Sequence, residues 1–156
     1  MPKFSASVWI DAGLERVWRF HEREDALELL SPPWANPQIT ARKGKLATGS
    51  RVEMLVPFGP LRLRWLALHV DCQELHHFTD DQISGPFRYW RHEHRFQAEA
   101  NGTRLTDSVE FRLPFSPLSD WALGWIVKLQ LRAMFRHRHQ VTKIECERGS
   151  ASAGAL

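Results

Sequence analysis

The chain has 156 residues, 43% of them hydrophobic and 25% charged, with 21 lysines and arginines against 18 acids and a net charge of +3. This is globular composition; it excludes a disordered chain, a collagen-like repeat and a bare coiled coil, and so small a net charge excludes a dedicated nucleic-acid binder. Seven tryptophans and nine phenylalanines beside one tyrosine imply a large core or a pocket lined with rings.

In chain order, Phe4, Ala6, Val8 and Ile10 alternate with Ser5, Ser7 and Trp9, which predicts a strand. Asp11 is placed to cap a helix whose one face carries Leu14, Val17, Trp18 and His21. A second short helix from Asp25 to Leu30 stops at Ser31-Pro32-Pro33, where proline removes a donor and forces extended backbone. Between residues 37 and 114, turn signals separate six short strands, near 37–43, 50–57, 61–71, 74–83, 87–99 and 103–114. The signals are Gly44, Gly49, Phe58-Gly59-Pro60, Gly85-Pro86 and Asn101-Gly102, the last suited to the positive φ angles of a tight hairpin. Ser116-Pro117 then opens a long helix reaching Arg148, with Leu118, Trp121, Ala122, Trp125, Ile126, Leu129 and Ala133 as its apolar face. Residues 149–156 are small and polar and predict a flexible tail, leaving one domain over 1–148.

The order strand, two short helices, six strands, long helix describes an α+β fold. A seven-stranded antiparallel sheet can cover its inner face only with the terminal helix. A curved sheet around a helix leaves a hollow. Cys72 and Cys146 stand outside any CxxC spacing and read as reduced thiols, so the expected location is cytoplasmic. No signal-like start and no apolar run of about 18 residues is present, so no membrane span is expected.

The densest chemistry lies in the strand near 87–99. One face carries Trp90, His92, His94, Phe96 and Ala98; the other carries Tyr89, Arg91, Glu93, Arg95 and Gln97 and belongs outside. In the next strand Leu105, Asp107, Val109, Phe111 and Leu113 face inward. Folding about Asn101-Gly102 places Asp107 beside Phe96 and diagonal to His94. An inward carboxylate costs several kcal/mol if unpaired, so a histidine partner is expected. Three readings of His92, His94 and Asp107 stay open: a structural network, a cluster that orients ligand in an aromatic cavity, and a catalytic acid–base pair or metal site. His-x-His on one strand face is metal-ligand geometry. The cupin pattern is not met, because the spacing from Gly85 is off by one and no second motif follows. No metal and no cofactor are therefore expected. Trp65, Trp90, Phe96, Phe111 and Phe135 are the candidate cavity lining. His76-His77 points to opposite faces and reads as surface. Arg132, Arg136, His137, Arg138 and His139 read as cations near a helix C-terminus, and the Trp121/Trp125 stripe as core packing.

Two further blocks carry a resemblance. Ile10-Asp11-Ala12 with Val17-Trp18 and Phe20 forms the first. Phe78-Thr79-Asp80-Asp81-Gln82, Gly85-Pro86-Phe87, Trp90, His92, His94 and Phe96 form the second, joined by Asp107, Pro114 and Met134-Phe135-Arg136-His137-Arg138. Over residues 3 to 143 the chain resembles the SRPBCC helix-grip superfamily, which includes START domains, the birch-pollen allergen and polyketide cyclases. It looks most like a bacterial subgroup of small ligand-binding members. A similar domain occurs fused to an epimerase-like domain; these 156 residues hold the helix-grip part alone. The resemblance implies a helix-grip fold and a small apolar molecule, such as a lipid, bound between sheet and terminal helix. The alternatives are a cyclase, dehydratase or hydrolase-like enzyme using His92, His94 and Asp107, or a protein-interaction module with a filled core. No nucleic-acid partner is expected, and the oligomeric state is not addressed by these residues.

Overall fold

The computed structural model describes residues 1–154, with side chains to 148. Its elements are β1 (Lys3–Ile10), α1 (Leu14–His21), α2 (Ala26–Leu30), β2 (Gln38–Lys43), β3 (Arg51–Phe58), β4 (Leu61–Gln73), β5 (His77–Ser84), β6 (Tyr89–Glu99), β7 (Gly102–Arg112) and α3 (Leu118–Gly154). The helix expected to reach Arg148 continues to Gly154 through most of the predicted tail, and residues 155–156 of that tail lie outside the described residues. The strands form one antiparallel sheet in the order β1-β7-β6-β5-β4-β3-β2, so β1 joins the last strand and α1 and α2 make the crossover. Register shifts in β2 between Ile39 and Ala41, and in β4 between Leu66 and Ala67 and between His69 and Asp71, bend the sheet. The result is the helix-grip architecture: a curved sheet around a long C-terminal helix.

Two local expectations need correction. Gly13, not Asp11, caps α1, and it supplies no side-chain cap. The Asp11 N–H instead donates to Oε1 of Glu147 on α3 at 3.0 Å. The β6–β7 turn residues are Ala100 and Asn101, with φ of 48° and 63°, and Glu99 pairs with Gly102. Gly102 already belongs to β7. A Cβ there would fall 2.4 Å from the Ile10 carbonyl oxygen and 2.7 Å from the Trp9 ring, so close approach rather than turn geometry requires glycine. The tighter register sets Asp107 directly opposite His94, not diagonal to it.

The core lies at the β1-β7-β6-β5 end. One cluster joins Ile10, Val17, Trp18, Phe20, Phe78, Phe96, Leu105 and Cys146; the other joins Trp90, Val109, Phe111, Leu131 and Phe135. Trp18 meets Phe96 edge-on at 5.1 Å, and Phe4 stacks on Phe135 at 5.6 Å. The expected apolar face of α3 is not its buried face. Trp121 is 83% and Trp125 61% exposed, and Leu118 and Leu129 are exposed too. The buried stripe is Gly124, Leu131, Phe135, His139, Thr142 and Cys146, again at helical spacing but partly polar. Hydrogen bonds tie the far end of α3 to the opening strand and helix: Lys143 Nζ donates to the Trp9 carbonyl at 2.8 Å, and Arg16 Nε to the Cys146 carbonyl at 2.7 Å. At its start, Asp120 accepts from the Leu113 N–H at 2.7 Å and the Ser116 hydroxyl at 2.5 Å. Among the described residues no helix is long and apolar enough to cross a membrane.

Candidate functional site

Between the concave sheet, α2 and α3 lies a cavity of about 1830 Å³. That is larger than the roughly 300–1,000 Å³ of drug-sized ligand pockets, and the space is partly open to solvent, with α2 and the β3–β4 hairpin among its lining. One wall is apolar, with Val52, Met54, Val56, Leu63, Trp65 and Ala67 from β3 and β4. The facing wall is α3, through Leu123, Ile126, Leu131, Met134 and Phe135. Trp65, Trp90 and Phe87 form an aromatic corner, the Trp65 and Trp90 rings meeting edge-on at 5.1 Å and Phe87 lying 4.8 Å from Trp90.

The polar end sits where β5 and β6 pass between the two apolar clusters. The period of two places His92 and His94 inward, as expected from the sequence, and both rings are buried. Their centroids are 3.8 Å apart, and Phe78 stacks on His94 at 4.0 Å. Behind them, one Asp107 oxygen lies 2.9 Å from His92 Nε2 and 2.7 Å from His94 Nδ1. The His92 contact is a hydrogen bond; the His94 nitrogen is equally close but poorly aligned, and finds no hydrogen-bond acceptor. The other Asp107 oxygen meets Nε2 of His139 from α3 at 2.6 Å. Asp80 lies on the cavity side of both rings, one oxygen 3.8 Å from His92 Nδ1 and 3.6 Å from His94 Nε2.

This arrangement separates the two imidazoles. Burial and the neighbouring His94 hold His92 below the ordinary histidine value. Burial opposes the charge of His94 too, but Asp107 and Asp80 outweigh it and hold His94 above that value. Burial would raise Asp107, yet His94, His139 and His92 hold it well below the carboxylate range; Asp80 is likewise held down by His94 and His92. The two neighbouring imidazoles are thus shifted in opposite directions, an arrangement suited to moving a proton between them and a bound molecule.

Of the residues singled out in the sequence, Trp65, Trp90, His92, His94 and Phe135 line the cavity. Phe96, Phe111 and Asp107 do not: Phe96 packs under Trp18, Phe111 lies in the second core cluster, and Asp107 is enclosed behind the histidines. His77 pairs with Asp71 at 2.9 Å, away from the cavity. Sequence reasoning missed Asp80, His139, His21, His69 and Arg138. His139 and Arg138 belong to the helix stretch read as C-terminal cations, but α3 runs past them, so His139 is buried and Arg138 faces the cavity. Asp80 shares an inward face with Phe78 and was legible by alternation.

Comparison with known proteins agrees with this architecture. The family model described as polyketide cyclase / dehydrase and lipid transport matches residues 10–137. No curated protein matches the chain in sequence. Among solved structures, the di-domain ARO/CYC StfQ from the steffimycin biosynthetic pathway superposes with a TM-score of 0.76 at 11% identity, over 96% of this chain and 51% of that one. The nucleoside-diphosphate sugar epimerase from Corynebacterium glutamicum gives 0.70 at 27% identity, over 97% of this chain and 30% of that one. Ara h 8.0201 gives 0.65 at 15% identity, over 90% of this chain and 97% of that one. The family match over most of the sequence and the sheet folded around α3 lead to one assignment: the chain belongs to the polyketide cyclase / dehydrase and lipid transport family, within the SRPBCC helix-grip superfamily.

Proposed function

We propose that the protein binds a small, mostly hydrophobic molecule between its sheet and α3. The observation that carries this reading is the large, mostly apolar cavity, walled by β3, β4 and α3, with the buried His92 and His94 on its inner wall. Burial of apolar surface supplies affinity at about 25 cal/mol per Å² before the costs of association, and the polar end supplies orientation. Trp65, Trp90 and Phe135 are the proposed contacts, with His92 and His94 aligning a polar group of the ligand. A filled core, which an interaction module would need, is at odds with a cavity of this size. The decisive experiment is native mass spectrometry of freshly purified protein, followed by extraction of any bound molecule and titration with an apolar fluorescent probe. Probe uptake with a shift in tryptophan emission is expected. An empty protein that takes up no probe overturns the reading.

A second reading, a cyclase- or dehydratase-like enzyme, is favoured by one observation: in the adjacent pair, burial and the neighbouring His94 hold His92 below the ordinary histidine value, while Asp107 and Asp80 hold His94 above it. In that case His94 would donate and His92 accept a proton, with Asp107 orienting His92 and balancing the charge on His94. Variants at His92 or His94 would then lose turnover while still binding, whereas in the carrier reading they weaken binding alone.

A further inference from the structure

Asp80 from β5 and His92 and His94 from β6 converge on the inner wall of the cavity, Asp80 directly opposite His92 across the ladder. Their donor atoms all lie within 4.8 Å of one another. The Asp80 oxygen is 3.8 Å from His92 Nδ1 and 3.6 Å from His94 Nε2, too far for hydrogen bonds. Such gaps approach the roughly 3.4 Å between donors around a tetrahedral ion with bonds of about 2.1 Å. The nitrogens that face away from Asp80, His92 Nε2 and His94 Nδ1, are the two that meet Asp107. The carboxylate hydrogen-bonded to the far nitrogen of His92 orients that ring and raises its basicity as a ligand, while at His94 the same oxygen supplies a close negative charge without an aligned hydrogen bond. Asp107 is itself anchored by His139. The wall is also not closed on itself: His69, paired with Asp80 across the β4–β5 ladder, keeps Nδ1 buried without a partner. A purely structural network would satisfy such atoms.

We propose that Asp80, His92 and His94 bind one divalent transition-metal ion, held from behind by Asp107 and open toward the cavity. Two imidazoles and one carboxylate on one side of an ion leave the other positions for water or an oxygen of a bound molecule. The sequence shows only the His-x-His half of this set; the third donor comes from a neighbouring strand. Two carboxylates close to the ion offset its charge, and Arg138 lines the same cavity, positioned to meet an anionic group that would complete the coordination.

The test uses the full chain, freed of metal by chelation and dialysis. Zn²⁺ is titrated by calorimetry, and Co²⁺ is added for absorption spectroscopy. One ion per chain and visible Co²⁺ bands of a four- or five-coordinate site are expected. Asp80→Asn preserves shape and should weaken Zn²⁺ binding by about 100-fold or more, and Asp107→Asn by about 10–100-fold through the rings it orients. The surface double variant His76→Ala, His77→Ala should bind as the wild type does. Circular dichroism confirms that each variant is folded; if Asp80→Asn is not, Asp80→Glu, which moves the carboxylate by one methylene, takes its place and should alter the Co²⁺ spectrum. Absence of stoichiometric uptake overturns the proposal. So does uptake insensitive to Asp80, or uptake lost in the His76/His77 variant. Apolar-probe binding measured on the same metal-free samples reports separately on the ligand reading.

Discussion

Replacing Asp107 by alanine tests the buried polar layer most directly. Asp107 is 2% exposed, and its two oxygens stand 2.6–2.9 Å from three imidazoles on two elements. The substitution strands three buried rings and removes the charge that balances His94. Breaking a buried pair in this way costs about 3–5 kcal/mol. With an unfolding entropy of about 2 cal/mol/K per residue, a chain of this length should lose roughly 10–15 °C in Tm. Asp107→Asn keeps one acceptor oxygen and should cost about half as much. Urea unfolding followed by circular dichroism at pH 7 measures the difference. The pH dependence has a definite sign. The folded pKa of Asp107 is depressed, so its contribution is full above the unfolded value near 3.8 and is lost as pH falls below that toward the folded value. The gap between wild type and Asp107→Ala should therefore narrow in strong acid, and also as pH rises through the raised pKa of His94, whose charge Asp107 balances. A loss below about 1 kcal/mol at pH 7, with an unchanged urea m-value, would show that the three histidines need no carboxylate.

His21 donates Nδ1–H to the Val17 carbonyl at 2.8 Å, and burial pushes its pKa down to about 4. The unfolded chain takes up that proton near 6.5, so stability should fall by up to about 3 kcal/mol as pH drops from 6.5 toward 4; a His21→Gln variant should flatten this slope, and an unchanged slope contradicts the assignment. Trp121→Ser with Trp125→Ser should change unfolding free energy by no more than about 0.5 kcal/mol per site, since both rings are exposed; a loss above 2 kcal/mol would place them in the core. Met54→Trp projects a larger ring into open cavity space and should cut apolar-probe uptake at least about tenfold with little change in Tm; wild-type uptake would mean that probe binds elsewhere.

The alternation along β6 and β7 was strong enough to orient both strands from sequence, because charged residues occupy every outward position of β6 from Arg91 to Arg95. The register was less legible. A glycine after asparagine reads as a turn, whereas here Gly102 is required by the approach of Ile10 and Trp9 on β1, far away in sequence. The buried face of α3 was misread for a related reason. Hydrophobicity alone selects the Trp121/Trp125 stripe, but the sheet end that α3 grips offers Asp107, and His139 and Thr142 turn inward. Asp80, His139 and Arg138 come together only through the sheet and the helix crossing over it. No spacing within one segment could reveal their meeting. The element order and the inward histidines were local properties, and the sequence carried them.

The uneven distribution of the core has a consequence for how this scaffold can change. Among the described residues, the buried hydrophobic side chains come from β1, β5, β6, β7, the helices and Ala12 in the β1–α1 link, while β2, β3 and β4 contribute none. The apolar wall made by Val52, Met54, Leu63 and Trp65 is thus drawn from strands on which folding makes few demands. Substitutions there alter the shape of the binding space at small thermodynamic penalty, whereas equivalent changes on β6 or β7 threaten the fold. Selectivity for one molecule over another can drift along β3 and β4 while the chemistry on β5 and β6 stays fixed, which makes the two halves of the sheet separately mutable.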